Sequence, residues 1–335
     1  MTRWRDLTDN QRARGINLGW TGCDDEYFHT GGFMAGTEGT IISGSIKGMV
    51  HVPFKSIWSE PAYAPPRFER TVDERREIST RITIYSDSEY GWFDAEEKFW
   101  NGLNGDEPGW WHIWTRRYGE LYLPMQLLDK VETELEADPT DDENNAQEWD
   151  ILLACDGEPR WRQPDLGDEW VNDMTKTQQM KADAQRVLSP KITVGTGLLQ
   201  AANRSPTRYA WPVYTVSAPG YCWIGDGGSG RMLPIPKLNP GEHVTIDTDP
   251  ANRIAVSALD PVDNWTKQTI RNADLLNVFL REYGESGISI LERFYGQGFD
   301  QAIPPRTVAN IPVMHSELGA RVSIRVPQRF ERAIS

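Results

Sequence analysis

Short runs in which apolar and polar residues alternate recur along most of the chain. In EISTRITIYSDS (77–88) isoleucine falls on even positions, with polar residues between. In ARVSIRVP (320–327) valine and isoleucine alternate with arginine and serine. A period of two residues places alternate side chains on opposite faces of a strand. The pattern therefore predicts a mainly β protein, with a half-buried antiparallel sheet before residue 137 and a β-sandwich of short strands from about residue 191.

Three segments interrupt the strand pattern. DAEEKFWNGL (94–103) predicts a helix in which Asp94 caps the start and Glu97 takes the reciprocal capping-box position. NADLLNVFLREYGESG (272–287) predicts a second helix over 272–283, which Gly284 ends. DEWVNDMTKTQQMKADAQRVL (168–188) is compatible with a helix or with a long ordered excursion. The chain is thus predicted to be β-rich with a few inserted helices.

The segment GEHVTIDTDPANRIAV (241–256) places Asp247 and Asp249 two residues apart between two apolar alternations. The D-x-D spacing begins like a calcium loop, but the glycine and the closing glutamate of such a loop are missing. The Asp-Pro step and Asn252 are typical of a turn. We therefore predict a hairpin whose two carboxylates lie at the strand end in solvent.

A crowded acidic stretch, LEADPTDDENNAQEWD (135–150), separates two parts of the sequence. It has few apolar residues, which is typical of a solvated loop or linker. We predict an N-terminal β domain over 1–136, an acidic linker over 137–148 and a C-terminal β-sandwich with helical insertions over 149–335.

Composition narrows the class of protein. The chain has 335 residues, 14 tryptophans and a formal net charge of −14. The negative charge disfavours binding to nucleic acid or to an anionic membrane surface. No stretch approaches the roughly 20 apolar residues of a membrane span, and MTRWRDLTDN lacks the apolar run of a signal peptide. The protein is expected to stay in the cytosol until it assembles.

Residues that could carry catalysis or bind a cofactor form no recognisable motif. The three cysteines, Cys23, Cys155 and Cys222, are far apart and are expected to be buried small hydrophobes. The five histidines are scattered at no metal-ligand spacing. GTGLLQ, from Gly195, lacks the third glycine of a dinucleotide fingerprint. No cofactor, metal or catalytic residue is predicted, although a hydrolase with an unrecognised site stays an alternative.

The cluster PGWWHIWTRR (108–117) carries the candidate functional residues Trp110, Trp111 and Trp114. On a strand, Trp110 and Trp114 share one face and Trp111 takes the other. Large aromatic side chains at such positions anchor cores and subunit interfaces. Stacking on sugar rings is the competing interpretation.

Several strand and loop segments resemble the minor tail proteins of siphophages that infect actinobacteria, in particular the distal tail protein family. The resemblance is carried by WPVYTVSAPG (211–220), LNPGEHVTIDTDPANRIAV (238–256), IPPRT (303–307) and ARVSIRVPQRFERA (320–333). Upstream, IWSEPAYAPPRFERTVDERREISTRITIYS (57–86) is similar to the family's first-domain pattern, in which the Arg-flanked segment enters a sheet. EWDILLACDGEPRW (148–161) is similar to the start of the family's second domain. The segments 165–190 and 272–283 look longer than the family's usual connections.

The resemblance implies a virion protein of the tail tip, assembled in the host cytoplasm. It implies an N-terminal β domain that builds a hexameric collar and a C-terminal galectin-like β-sandwich. The expected partners are further copies of the chain, the tail tube protein, the tape measure and the tip or baseplate hub proteins. DNA would leave through the lumen without sequence-specific binding. A carbohydrate-binding module that attaches to the host surface is the alternative function.

Overall fold

The structure is a computed structural model that describes residues 15–60, 63, 65–86, 89–129, 131, 138–140, 145–173, 178–183, 191–258 and 288–334. By packing, the chain divides into two compact units. The first unit comprises Met1–Gln163 and Phe330–Ser335, and the second comprises Pro164–Arg329. The chain therefore leaves the first unit once and returns to it for its last residues.

Antiparallel strands build most of the first unit. They are β1 (Asn17–Thr21), β2 (Tyr27–Gly31), β3 (Thr40–Ile42), β4 (Phe54–Ser59), β5 (Arg67–Asp73), β6 (Glu77–Tyr85), β7 (Gly109–Thr115), β8 (Gly119–Leu127) and β9 (Ala146–Cys155). One run has the order β2-β1-β7-β8 and another has the order β3-β6-β9. The two runs join where the end of β8 pairs with the end of β9. Gly119 begins β8 with φ of 71°, a left-handed conformation that favours glycine.

The core of the first unit lies between these strands. On β6 the isoleucines are buried and Arg81 is exposed, so the predicted alternation is confirmed. The helix α1 (Glu89–Asn101) packs Phe99 edge-on against Phe28, with ring centroids 5.5 Å apart. The predicted helix is confirmed, but it begins five residues before Asp94. Asp94 lies inside α1 and is not its cap, because the helix already includes Glu89.

Two sheets face each other in the second unit. Its strands are β11 (Gln178–Asp183), β12 (Lys191–Asn203), β13 (Val213–Val216), β14 (Gly220–Gly225), β15 (Met232–Leu238), β16 (His243–Asp247), β17 (Ile254–Ala258), β18 (Ile288–Ser289) and β19 (Thr307–His315). One sheet has the order β11-β12-β19-β14-β15, and the other includes the order β18-β17-β16-β13. The core draws apolar side chains from both sheets, such as Leu199, Val313, Val244 and Ile246.

The chain passes between the units within two strands, β10 (Trp161–Val171) and β20 (Arg321–Phe330). In the second unit β20 pairs with β13, which places Val322 and Ile324 in the core. Trp170 also packs against this core, and a Cβ on Gly197 would overlap its indole. The predicted β-sandwich is therefore observed.

Further predictions from the sequence can be compared with the structure. The stretch 165–190 contains β10 and β11 and, in its described residues, no helix. The predicted helix over 272–283 lies outside the described residues. The predicted second domain begins at residue 149, whereas residues 146–154 of β9 pair with β6 of the first unit. Packing thus groups residues 146–163 with the first unit, and the proposed domain limits stay a prediction. Of the acidic linker, the structure describes 138–140 and 145–148.

Candidate assembly surfaces

The hairpin of β4 and β5, which we name the arm (residues 54–73), exposes aromatic side chains. Among the described strands, β4 and β5 pair only with each other. Phe54, Trp58 and Phe68 are 60 %, 55 % and 53 % exposed, and Tyr63 between the strands is fully exposed. Exposed apolar patches of this kind mark interaction surfaces in proteins. The arm is therefore the first candidate site.

The two faces of the arm differ in chemistry. Trp58 lies opposite Phe68, and the rings meet edge-on with centroids 5.5 Å apart. Phe54 has the same parity as Trp58, so it lies on this aromatic face. Lys55, Arg67 and Arg70 belong to the other face, which also carries Ile57 and Val72. The arm thus has one aromatic face and one basic face. Glu69 lies at a bulge in β5, between Phe68, which pairs with Trp58, and Arg70, which pairs with Ile57.

The base of the arm is tied to the first unit. Asp73, the last residue of β5, forms an ion pair with the buried Arg160, which also binds Glu158 with an N–O distance of 2.9 Å. The backbone N–H of Glu74 donates to the carbonyl of Pro53 at 3.0 Å. These contacts fix where the arm begins, while its aromatic residues stay exposed.

The tryptophan strand is β7, and its residues alternate between the core and the opposite face. Trp111 is 2 % exposed and meets Trp20 edge-on with centroids 6.4 Å apart. Ile113 is buried beside it. Trp110 and Trp114 are half-buried on the opposite face. The structure therefore places Trp111 in the core, and an interface role for Trp110 and Trp114 stays a prediction.

We name the surface that surrounds these two residues the tryptophan face. It is formed by Trp110, His112, Trp114, Glu120 and Tyr122, since β8 places Tyr122 opposite His112 and Glu120 opposite Trp114. Trp110 meets Tyr122 edge-on with centroids 5.3 Å apart. Nδ1 of His112 lies 3.0 Å from Oε1 of Glu120. The face combines flat aromatic groups with polar groups, and exposed Asp106 and Glu107 precede β7.

A buried histidine–glutamate pair lies on β2 of the same sheet. Nδ1 and the backbone N–H of His29 each lie 2.8 Å from carboxylate oxygens of Glu38. Burial alone would raise the pKa of Glu38, but the hydrogen bonds from His29 lower the pKa below its ordinary value. The pair ties β2 to the loop before β3. We assign it a structural role.

The hairpin at 241–256 is confirmed. β16 and β17 pair antiparallel, and the N–H of Asn252 donates to the carbonyl of Asp249 at 3.0 Å. Oδ1 of Asp247 accepts from the N–H of Asp249 at 2.9 Å. The prediction that both carboxylates lie in solvent is wrong, because Asp247 and Asp249 are half-buried. In the described part of the chain, no group of three or more His, Cys, Asp or Glu is placed to hold a metal ion.

The prediction that all three cysteines are buried is confirmed for Cys155 and Cys222 and is wrong for Cys23. Burial raises the pKa of Cys155 to about 11, and it also raises the pKa of Cys222. Cys23 is half-buried, and its sulfur accepts from the side-chain amide of Asn104 at 3.3 Å. All three are free thiols.

Sequence reasoning missed the arm. The resemblance of residues 57–86 predicts only a segment that enters a sheet. A signal was present in PAYAPP (61–66), because prolines there interrupt strand pairing between two runs with apolar residues on both faces.

Within the described residues, the helix is too short and polar to cross a bilayer.

No protein-family model matches the chain, and no curated protein matches it. Among solved structures, the chain is similar to the Dit protein (gp 19.1) of phage SPP1, described as a paradigm of the hub adsorption apparatus in phages that infect Gram-positive bacteria. The two chains are 9 % identical with a TM-score of 0.49, and the similarity covers 94 % of this chain and 99 % of that chain.

The baseplate of phage p2 in its activated conformation is also similar, in structures with calcium and with strontium. The identity is 8 % in both, with TM-scores of 0.45 and 0.46. Each similarity covers 94 % of this chain and 98 % of the other. The solved structures to which the chain is similar thus include phage hub and baseplate proteins.

Proposed function

We propose that the chain is a structural, non-enzymatic component of a long non-contractile phage tail tip. In this proposal six copies form a ring that joins the tail tube to the tip or baseplate and surrounds the DNA exit channel. The ring is assembled in the host cytoplasm and contacts the tube protein, the tape measure and the downstream hub proteins. The resemblance of the sequence to distal tail proteins of actinobacterial siphophages supports this assignment.

The arm is the observation that carries the proposal. Three aromatic side chains are held on one face of a hairpin, outside either core, where each is more than half exposed. Burying such side chains contributes about 1.5–3 kcal/mol each. A contact with another chain would supply that burial. Repeated around an axis, a contact between two different surfaces gives a closed ring when the rotation between copies closes.

The mass of the purified protein in solution tests the proposal. We expect a species of six protomer masses, by native mass spectrometry and by light scattering across a dilution series. In the double variant Trp58→Thr, Phe68→Thr we expect monomers that still unfold in one cooperative transition, because the two side chains lie outside the core.

Tyr209→Thr is the matched control, since Tyr209 is an aromatic residue of similar exposure in the second unit. We expect this variant to assemble like the wild type. A wild-type protein that stays monomeric at all concentrations, alone and with the tube protein, would contradict the ring.

Carbohydrate binding is the second candidate function, and the half-buried Trp110 and Trp114 favour it. Both lie on one face of β7, with His112 between them and Glu120 opposite Trp114. Aromatic faces flanked by hydrogen-bonding groups suit sugar rings. Binding of the intact protein to a glycan array, lost in Trp114→Thr with assembly retained, would support this function over the ring-interface role of the face.

A further inference from the structure

We propose that residues 330–334, which we name the return segment, fix the base of the arm, so that a chain whose second unit is unfolded does not assemble. The return segment follows the second unit in the sequence and belongs to the first unit by packing. The inference rests on the proposed ring and names what controls entry of a copy into it.

The return segment is seated in the core of the first unit. The ring of Phe330 is buried and lies against the ring of Tyr118, with centroids 5.2 Å apart. Ala333 is fully buried, and Ile334 packs against the same core. Removal of apolar side chains from water holds such a segment in place. The return segment is thus part of the packing of the first unit.

The return segment pairs with the chain that leads into the arm. The N–H of Val52 donates to the carbonyl of Glu331 at 3.1 Å. His51 pairs antiparallel with Arg332. Val52 stands two residues before Phe54, where the arm begins. The return segment therefore borders one side of the base of the arm.

Arg76, three residues after the arm, joins the return segment to both sides of the base. Its side chain is fully buried and lies over the ring of Trp161. Nη1 of Arg76 donates to the carbonyl of Met49 at 3.1 Å, and Nη2 lies 3.5 Å from the carbonyl oxygen of Glu331. A buried charge is costly unless it is hydrogen-bonded. Departure of the return segment would remove one acceptor from this guanidinium, so the segment stabilises the buried position of Arg76.

Folding of the second unit keeps its two junctions with the first unit adjacent. In the second unit β20 lies beside β10. Asp165 forms ion pairs with Arg325 and Arg329 at N–O distances of 3.4 and 3.7 Å. If the second unit is unfolded, residues 164–329 become a flexible loop that must close before the return segment is seated. Closure of such a loop disfavours the seated state by on the order of a thousandfold.

Expulsion of the return segment tests its role in the full chain. Ala333→Glu places a charge at a fully buried position and should expel the segment. The monomeric double variant Trp58→Thr, Phe68→Thr serves as the background, which removes any contribution from assembly. The N–H of Glu74, which donates to the carbonyl of Pro53, reports on the base of the arm. By hydrogen exchange, we expect peptides covering 49–54 and 72–76 to exchange at least tenfold faster with Ala333→Glu.

A disulfide distinguishes loss of the segment from general damage. The bond from Val52 to Glu331 makes His51 and Arg332 a non-hydrogen-bonded pair, in which Cα atoms lie about 4.5 Å apart. That separation suits a disulfide. We expect His51→Cys with Arg332→Cys, added to Ala333→Glu, to restore slow exchange when oxidised and not when reduced. Slow exchange in Ala333→Glu itself, or fast exchange in the oxidised protein, would overturn the inference.

The link to the second unit has its own test in the same background. Val244→Asp places a charge in the core of the second unit and should unfold that unit. We expect the same peptides of the first unit to exchange at least tenfold faster, and the oxidised disulfide to restore slow exchange. Unchanged exchange with Val244→Asp, or no recovery on oxidation, would contradict control by the second unit.

Assembly is measured by native mass spectrometry with Trp58 and Phe68 intact. We expect Ala333→Glu to be monomeric and the oxidised disulfide form of this variant to return to six protomer masses. Assembly of Ala333→Glu like the wild type would overturn control of entry into the ring. A wild type that never assembles would contradict the proposed ring, whereas the exchange rates of the monomeric background still decide whether the return segment fixes the arm.

Discussion

The carboxylate of Asp247 lies half-buried at the end of β16. Burial raises its pKa above the ordinary value, and the charge of Asp249 adds to the rise, against a backbone hydrogen bond that lowers it. An acid with a raised pKa in the folded state stabilises the fold below its unfolded pKa. That contribution is lost as the pH rises through the folded pKa, so the ionised form has a cost at neutral pH.

Asp247→Asn should therefore have a higher free energy of unfolding than the wild type at pH 7, measured by urea denaturation. The amide oxygen can still accept the N–H of Asp249, without the buried charge. Asp247→Ala loses that hydrogen bond and should be less stable than Asp247→Asn by about 1 kcal/mol. A metal-dependent unfolding transition that vanishes in Asp247→Asn would show that the turn is a metal site after all.

Two histidines of the second unit are held in their neutral form. The N–H of Glu317 donates to Nδ1 of His315 at 3.0 Å, and Nε2 lies 3.1 Å from the carbonyl oxygen of Ser217. Nδ1 of His243 accepts from the N–H of Ala218 at 3.1 Å. Burial lowers the pKa of both His315 and His243. A ring nitrogen that accepts an N–H carries no proton, which agrees with that direction.

Stability should therefore fall as the pH drops below the unfolded histidine pKa of about 6.5. A lowered folded pKa means that the unfolded chain binds more protons in this range. We expect His315→Gln to show a smaller loss of unfolding free energy between pH 7.5 and 5.5 than the wild type. Equal slopes in the two proteins, from urea titrations at both pH values, would contradict the role of His315.

At the scale of elements, β7 separates two kinds of tryptophan. Trp111→Ala should cost about 3–5 kcal/mol of unfolding free energy, because it empties a buried site. Trp114→Ala should cost only about 1 kcal/mol, because its side chain stays half-buried on the opposite face. Chemical denaturation measures both costs in the background of the monomeric double variant Trp58→Thr, Phe68→Thr, which removes any contribution from assembly. Equal costs would mean that the two faces of β7 are packed alike.

The alternation of apolar and polar residues predicted strands well where one face of the strand packs against a core. The isoleucines of β6 and the valines of β20 are examples, because a period of two fixes which side chains are buried. The start of α1 was not predictable from Asp94, since a capping residue is also an acceptable exposed residue inside a helix. The strand β11 was missed because polar, long side chains such as those of Gln178 and Lys181 suit helices equally well.

The candidate site was predictable only in part. The spacing of Trp110, Trp111 and Trp114 correctly separated a core residue from two on the opposite face. It could not identify the polar partners, because Glu120 and Tyr122 reach this face through pairing with another strand. The arm was not predicted because the alternation of apolar and polar residues shows only that a strand has two different faces. It does not show whether the apolar face packs against the core of the same chain or stays exposed.

At the scale of the whole molecule, the basic residues near the arm do not form a continuous positive surface. Arg76 is 0 % exposed, stacks on Trp161 and donates to the carbonyls of Met49 and Glu331. Arg75 forms an ion pair with Glu77, with an N–O distance of 2.6 Å. Arg67 and Arg70 are exposed on the arm. A channel lined by an acidic chain would repel phosphates and let DNA slide.

The assembled protein should therefore not retain double-stranded DNA in a gel-shift experiment at low salt, about 50 mM, where phosphate contacts are strongest. The variant Asp106→Lys, Glu107→Lys tests whether the gel-shift experiment detects DNA binding, since it makes one surface of the protein less acidic. Retention of DNA by the wild-type protein, weakened as salt is added, would identify a basic surface and leave the net charge as a matter of solubility.

The chain returns to the first unit at Phe330, and this return affects how the protein can evolve. Because the second unit is bounded by Gln163 on one side and Phe330 on the other, it is an insertion within the first unit rather than an appendage at its end. Genetic exchange at these two junctions would replace the inserted unit and keep the first unit, including the arm. Residues 164–329 would then diverge between lineages, while assembly into the proposed ring constrains the residues of the arm.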